Sequence, residues 1–176
     1  TCSGDDLPCL TMRGAYLAQD RYDVQHTTKE LATEMKTPTN EGMVRLKRFA
    51  RYLKGDPRVV QTFKRQSTKD SDPMVADLIV DVDSDWAGCK ATRKSTPCVV
   101  IRHGSNVLKT QVNAMKGISL SSGEAEYAAI VKGACQGLGV QSMAGDWGIT
   151  LNVRIRSDSS AAIGISNRLG LGSMRH

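Results

Sequence analysis

The sequence lacks a long hydrophobic run. Its longest apolar stretches, around residues 75–80 and 98–101, are far shorter than the about 20 residues of a membrane-spanning helix, which excludes a transmembrane protein. It also lacks an initiator Met and the basic and apolar regions of a signal peptide. We therefore expect a fragment of a longer protein that has no membrane partner.

Cysteine and histidine are also scarce. The five cysteines are odd in number and include no CxxC pair, and only three histidines accompany them. This pattern argues against a zinc module and against a disulfide framework. We expect a reducing, intracellular setting, either the cytoplasm or the nucleus.

Positive charge is in excess. The formal net charge is +6 and the pI is about 9.2, which favours a polyanionic partner such as nucleic acid. Residues 1–70 carry 13 Lys and Arg against 9 Asp and Glu, and the rest carries 11 against 9. The excess therefore lies mainly upstream.

A polar segment that ends in proline, residues 66–73, has the composition of a linker. It divides the chain into a helical part, residues 1–70, and a second domain, residues 74–176. Apolar residues at three-to-four spacing predict helices over residues 22–35 and 40–54, the second capped by Thr39 or Asn40. Its other face is basic and is either a solvated surface or a contact for phosphates. That face carries Arg45, Lys47, Arg48, Arg51 and Lys54.

After residue 74 the sequence pattern is typical of strands. Residues 75–82 predict a strand with an acidic far end, and residues 98–102 and 107–112 predict a hairpin. Ser121 and Glu124 form a capping box before a helix that reaches about residue 144, although three glycines weaken its second half. A strand at 151–156 and a short helix at 160–166 follow. The sequence therefore predicts a mixed α/β domain.

Three carboxylates lie at the ends of these elements: Asp83, Glu126 and Asp158. Each alone has an ordinary explanation, as a strand end, a helix-dipole partner or a helix N-cap. If the first and fourth strands are neighbours, however, all three converge at one edge. Magnesium suits such a cluster, because it prefers oxygen ligands, and two such ions can assist phosphodiester hydrolysis.

Several segments carry a resemblance to a known family. DSDWAGCKATRKST at residues 83–96, LSSGEAEY at 120–127 and RSDSSAAI at 156–163 resemble the ribonuclease H domain of copia-type LTR retrotransposon polyproteins. The final RLGLGSMRH is similar to the segment that follows in that family. Upstream, YLAQDRYDV at 16–24, TKEL at 28–31 and LKRFARYLK at 46–54 resemble the end of the preceding reverse transcriptase.

The resemblance implies a ribonuclease H-like mixed sheet and Mg²⁺- or Mn²⁺-dependent hydrolysis of the RNA strand of an RNA–DNA hybrid. It implies that Asp83, with Asp85 the weaker candidate, Glu126 and Asp158 are the catalytic metal ligands, and that Glu126 faces the 2′-hydroxyl side of the scissile nucleotide. Glu124 is then the capping partner of Ser121. The other partner implied is the remainder of the polyprotein. Candidate nucleic-acid contacts are Arg93, Lys94, Ser122, Ser160, Arg48 and Arg51.

The sequence also departs from the family pattern. The family continues into a fifth strand and a later Asp, and we expect this chain to stop before both. Residues 95–98 read STPC where the family usually has STSG. A catalytically dead relic that at most binds nucleic acid is therefore the alternative function. An unrelated carboxylate-metal phosphoesterase would explain the acids but not the residues around them.

Overall fold

The chain divides into two units, Thr1–Thr62 and Phe63–His176, in the computed structural model, which describes residues 6–65 and 75–168. The linker expected at residues 66–73 lies outside the described residues, so that boundary stays a prediction.

The described residues of the first unit, from Asp6 onward, form three helices and one short turn. These are α1 (Asp6–Leu17), a 3₁₀ turn (Tyr22–Val24), α2 (Gln25–Thr33) and α3 (Asn40–Gly55). Thr39 caps α3, because its side chain accepts a hydrogen bond of 2.9 Å from the Gly42 amide. The predicted helix over residues 22–35 is therefore a turn followed by a shorter helix. The apolar core is shared by all three helices and includes Leu7, Val24, Leu31, Leu46 and Phe49.

Helix α1 is not predicted by the sequence pattern. Pro8 lies in its first turn, where a missing amide costs no intrahelical hydrogen bond, and Gly14 interrupts its interior. The glycine is required by packing: a Cβ at this position would lie 2.9 Å from the ring of Phe49. Tertiary contact therefore decides this helix where local propensity is weak.

The basic face of α3 is narrower than the sequence predicts. Arg45 lies 2.6 Å from both Glu34 and Glu41 and 3.9 Å from Glu30, so carboxylates already surround its guanidinium. Arg48 and Arg51 are exposed, and neither forms an ion pair with another described residue. The face that remains available to a phosphate therefore excludes Arg45.

Within its described residues, the second unit contains a four-stranded mixed sheet with the order β3-β2-β1-β4. Its strands are β1 (Val75–Asp85), β2 (Thr96–His103), β3 (Asn106–Val112) and β4 (Thr150–Arg156). The first three are antiparallel neighbours, and β4 pairs parallel to β1. Such a parallel pair needs a crossover, which is supplied by α4 (Ser122–Asp146), and α5 (Ser160–Ser166) follows β4. This confirms the predicted mixed α/β, ribonuclease H-like architecture.

The core of the second unit lies between the sheet and α4. Alternate residues of β1, Leu78, Val80 and Val82, are buried there with apolar residues of β2 and β4, as a strand with one covered face requires. Asp77 and Asp81 alternate with them and occupy the other face. None of the described helices combines the length and the apolar character needed to cross a membrane.

Glycines hold α4 close to the sheet and do not break the helix. It runs without interruption through Gly133, Gly137 and Gly139. A Cβ on Gly133 would lie 2.5 Å from Val82 Cγ1, and one on Gly137 would lie 2.8 Å from Val153 Cγ1. Two of the three glycines therefore permit a close approach of helix and sheet, where the sequence alone predicts a weak helix.

A matched pair of substitutions tests this packing. Gly133→Ala is expected to lower the free energy of unfolding by about 1–3 kcal/mol, because the added methyl group meets Val82 and Val80. Gly139→Ala is expected to raise it by up to about 1 kcal/mol, because the same methyl group enters open space and alanine favours a helix. Urea denaturation followed by circular dichroism measures both, and shifts of the same sign would contradict the assignment.

Candidate active site

Three carboxylates meet at one edge of the sheet. Asp83 lies near the end of β1, Glu126 in the second turn of α4 and Asp158 between β4 and α5. Each offers an oxygen atom, and these three atoms lie within 4.8 Å of one another. Asp83 and Asp158 are exposed, whereas the side chain of Glu126 is buried.

The fold explains this convergence. Because β1 and β4 run parallel as neighbours, their carboxyl ends reach the same edge, and Asp81 pairs in register with Arg156 two residues before each acid. The first turns of α4 cover that edge. There the Ser84 amide donates a hydrogen bond of 3.2 Å to Glu126 Oε1. The strand that carries Asp83 therefore also positions Glu126.

Burial raises the pKa of Glu126 above its ordinary range. The neighbouring charges of Asp83 and Asp158 raise it further, and the hydrogen bond from Ser84 opposes the shift. The second oxygen, Oε2, is buried and has no hydrogen-bond partner among the described residues. An unpaired buried oxygen next to two further carboxylates is a costly arrangement without a cation.

The arginines of the sheet pair with aspartates that lie outside the acid cluster. Asp81 pairs with Arg102 at 2.6 Å and with Arg156 at 2.7 Å, and Asp77 pairs with Arg154 at 3.2 Å. By contrast, no ion pair between described residues involves the three clustered acids. Their oxygens are the ligand type that Mg²⁺ prefers, so the residues present fit a divalent cation.

Asp85, the weaker candidate for the first ligand, has a structural role. Its Oδ1 accepts a hydrogen bond from the Thr96 amide at the start of β2. It therefore joins the end of β1 to the strand that follows, and it is not among the clustered acids. Of the two aspartates, only Asp83 faces Glu126 and Asp158.

Removal of the Asp85 carboxylate tests whether Asp85 supports the fold without binding the metal. Asp85→Ala is expected to lower the free energy of unfolding by about 1–3 kcal/mol, because the Thr96 amide loses this acceptor. The rise in Tm on addition of Mg²⁺ should persist, because the three clustered acids remain. Thermal denaturation with and without Mg²⁺ measures both effects, and loss of the Mg²⁺ response would contradict the assignment of the cation site.

The helix caps remove the ordinary explanation for Asp158. Ser159, not Asp158, caps α5, with its hydroxyl accepting from the Ala162 amide at 3.2 Å. At the start of α4 the predicted capping box is present, since Ser121 Oγ accepts from the Glu124 amide. The carboxylate of Glu124 accepts from Leu120, one residue before the cap. Glu124 thus supports the helix, and Asp158 is available for another role.

The loop that follows Asp83 is held in a strained conformation. Ala87 and Arg93 have φ angles of 53° and 57°, which are unfavourable for residues with a side chain. The hydroxyl of fully buried Ser95 accepts from the Ala87 amide at 3.0 Å. The Trp86 indole donates to the Ser119 carbonyl at 3.1 Å, which ties this loop to the segment before α4.

The predicted nucleic-acid contacts lie in three places. Arg93 is exposed and Lys94 half-buried in the loop after β1, and Ser122 and Ser160 are the exposed first residues of α4 and α5. Arg48 and Arg51 are on α3 of the other unit. The structure brings together the three acids; the roles of the other residues stay predictions.

Two residues near the acids are not identified by the sequence pattern. Cys98 is the register partner of Asp83 on β2, and its thiol pKa is raised by burial and by the charge of Asp83. The positive charge of Lys132 on α4 opposes that rise in pKa. The predicted hairpin pairs β2 with β3 and not with β1, so no local signal places Cys98 opposite Asp83, and none identifies Lys132.

The sequence is similar to transposon proteins of Arabidopsis thaliana. It is 31% identical over 136 residues to a retrovirus-related Pol polyprotein from transposon RE1 and 30% identical over 156 residues to one from transposon RE2. These matches cover 77% and 85% of this chain, but the chain spans only 9% and 10% of those relatives. An uncharacterized mitochondrial protein of the same plant is 30% identical over 115 residues, which are 65% of this chain and 45% of that protein. No family model and no solved structure matches.

Proposed function

The chain belongs to the retrovirus-related Pol polyproteins of copia-type transposons, as its motifs predict, and from this premise we propose that its second unit hydrolyses the RNA strand of RNA–DNA hybrids. The observation that carries the proposal is the convergence of Asp83, Glu126 and Asp158, from three separate elements, within 4.8 Å.

In this proposal the three carboxylates hold divalent metal, Mg²⁺ or Mn²⁺. The metal supplies activation of a water molecule and stabilisation of the leaving oxygen of the phosphodiester. Asp83 and Asp158, which are exposed, present their oxygens to solvent and substrate. Glu126 is held by the Ser84 amide, so its free oxygen has a fixed position on the side assigned to the ribose 2′-hydroxyl. Contact with that hydroxyl would select RNA over DNA.

Polar residues on or next to the elements that carry the acids support the approach of a nucleic-acid backbone, and all of them except half-buried Lys94 are exposed. Arg93 and Lys94 follow β1, and the Ser122 and Ser160 hydroxyls begin the helices next to Glu126 and Asp158. We assign phosphate contacts to these four and further contacts to Arg48 and Arg51 of the first unit. The remainder of a polyprotein is the other partner in this proposal.

One feature favours the alternative, a catalytically dead relic that binds nucleic acid. Pro97 pairs in register with Ser84, directly beside Asp83, and proline lacks the amide that a strand residue donates to its neighbour. A relic would retain the basic surface and lose turnover.

A cleavage assay decides between the two functions. The full chain is incubated with a hybrid whose RNA strand carries an end label, with Mg²⁺ or with EDTA. We expect RNA fragments only with the metal and only when the RNA is paired with DNA, while an all-DNA duplex stays intact. Binding of the hybrid without metal-dependent fragments would support the relic.

A further inference from the structure

A cavity lies beside the acid cluster in the second unit. It has a volume of about 520 Å³, is open to solvent, and is lined by the segment between β3 and α4, by one face of α4 and by the start of β2. Apolar groups form much of its wall, including Pro97, Met115, Ile118 and Ala128. Polar groups reach it at a few positions: Asn113, Lys116, Ser119, Glu124 and Lys132. An apolar wall with a few polar groups is the usual composition of a ligand site.

Strand pairing places the wall of this cavity against the end of β1 that carries Asp83. Pro97 on its wall is the register partner of Ser84, and the next residue, Cys98, is the partner of Asp83. The amide of Ser84 in turn donates to Glu126, and two residues of the cavity wall, Glu124 and Ala128, flank Glu126 along α4. A molecule held by Lys132 would therefore lie beside the acids, with no overlap with the oxygens that would hold metal.

The charged groups that line the cavity favour the binding of an anion. Lys132 is half-buried, and burial lowers its pKa. Neither Lys116 nor Lys132 forms an ion pair with another described residue. The one acid on the wall, Glu124, already accepts a hydrogen bond from the Leu120 amide. A partly desolvated ammonium group without a carboxylate interacts more strongly with an anion than an exposed lysine does.

We propose that this cavity holds a phosphate of the bound polynucleotide, contacted by Lys116 and Lys132, with the adjoining sugar against Met115 and Ile118. The proposal rests on the proposed function, since it takes the substrate to be a nucleic acid. It assigns these lysines to positioning: they hold the strand next to the acids and take no part in bond cleavage. In this arrangement the two lysines contact the phosphate, and the three clustered acids contact the metal.

The salt dependence of binding tests the proposal. Fluorescence anisotropy gives the Kd of the full chain for an RNA–DNA hybrid at several salt concentrations, with Ca²⁺ in place of Mg²⁺. The double variant Lys116→Gln, Lys132→Gln is expected to bind about tenfold more weakly at low salt. Its slope of log Kd against log salt should fall by about 2, because each lysine that neutralises a phosphate adds about 1 to the slope.

Lys109→Gln is the matched control. It removes one positive charge from exposed Lys109 on β3, which does not line the cavity, and should change the slope by much less than 1. Lys132→Arg keeps the charge and should retain the wild-type slope. An unchanged slope in the double variant, at an unchanged Tm, would overturn the proposal, and so would an equal effect of Lys109→Gln.

The outcome is separable from that of the proposed function. If the wild-type chain cuts no RNA and the slope of the double variant still falls by about 2, the hydrolase proposal fails and the phosphate site stands. If RNA is cut and the double variant keeps both its slope and its KM, the phosphate site fails and the hydrolase proposal stands.

Discussion

Asp83→Asn is expected to lower Mg²⁺-dependent cleavage of an RNA–DNA hybrid by at least about a hundredfold. The substitution keeps the size and shape of the side chain but removes one of the three charges that meet within 4.8 Å. An amide oxygen is a weaker ligand for a hard cation than a carboxylate. Because Asp83 is exposed at the end of a strand, the fold should tolerate the change. Initial rates on an end-labelled hybrid measure the effect.

Asp77→Asn is the matched control for this experiment. It makes the same chemical change on the same strand, at an exposed residue paired with Arg154 and outside the acid cluster. We expect its cleavage rate to remain within about twofold of the wild-type rate, since an exposed ion pair contributes about 1 kcal/mol or less to stability. Equal losses in both variants would contradict the assignment of the metal site.

Glu126→Gln is expected to abolish cleavage and to stabilise the protein in the absence of metal. The carboxylate is buried beside two like charges, which is why its pKa is raised. The amide avoids that cost, keeps an oxygen for the Ser84 amide and offers an N–H to Asp83. Removing this buried, unpaired charge should stabilise the protein by on the order of 1 kcal/mol, which raises Tm by about 4 °C for a unit of this size.

The pH dependence of protein stability provides a second test of the role of Glu126. The folded state holds the Glu126 proton more tightly than the unfolded state does. Wild-type stability therefore falls as the pH rises from the ordinary pKa of a glutamate through the raised one. Glu126→Gln lacks this fall, so its advantage in Tm should grow across that interval and then stay constant.

Calorimetry in EDTA at several pH values measures this difference. Asp146→Asn, which removes an exposed acid at the other end of α4, should not lose cleavage. A lower Tm for Glu126→Gln at neutral pH would contradict the account of Glu126 as a destabilising buried charge.

Much of the second unit could be predicted because its local and global signals agree. The alternation in β1, the hairpin and the capping box at Ser121 each identify an element from a short window of sequence. The parallel pairing of β1 and β4 then brings Asp83 and Asp158 to one edge. The position of the acids thus follows from the order of the elements, although their catalytic role stays a prediction.

The features that could not be predicted depend on contacts between distant residues. From the sequence alone, Gly14 and Gly133 are expected to weaken their helices. In the structure they allow close packing against Phe49 and Val82. Burial of Glu126 depends on how α4 lies over β1, and no local pattern records that depth. The sequence does not distinguish Lys132 from other lysines on helices, because only the structure shows the cavity that it lines.

Asp83 and Asp85 stand two residues apart on one strand, yet one belongs to the acid cluster and the other secures the start of β2. Under the proposed function, selection for a folded protein and selection for cleavage would therefore act on different acids within the same short motif. A lineage that loses activity but still needs the fold would be free to change the first and obliged to keep the second. The order in which the two are lost would record which constraint was relaxed first.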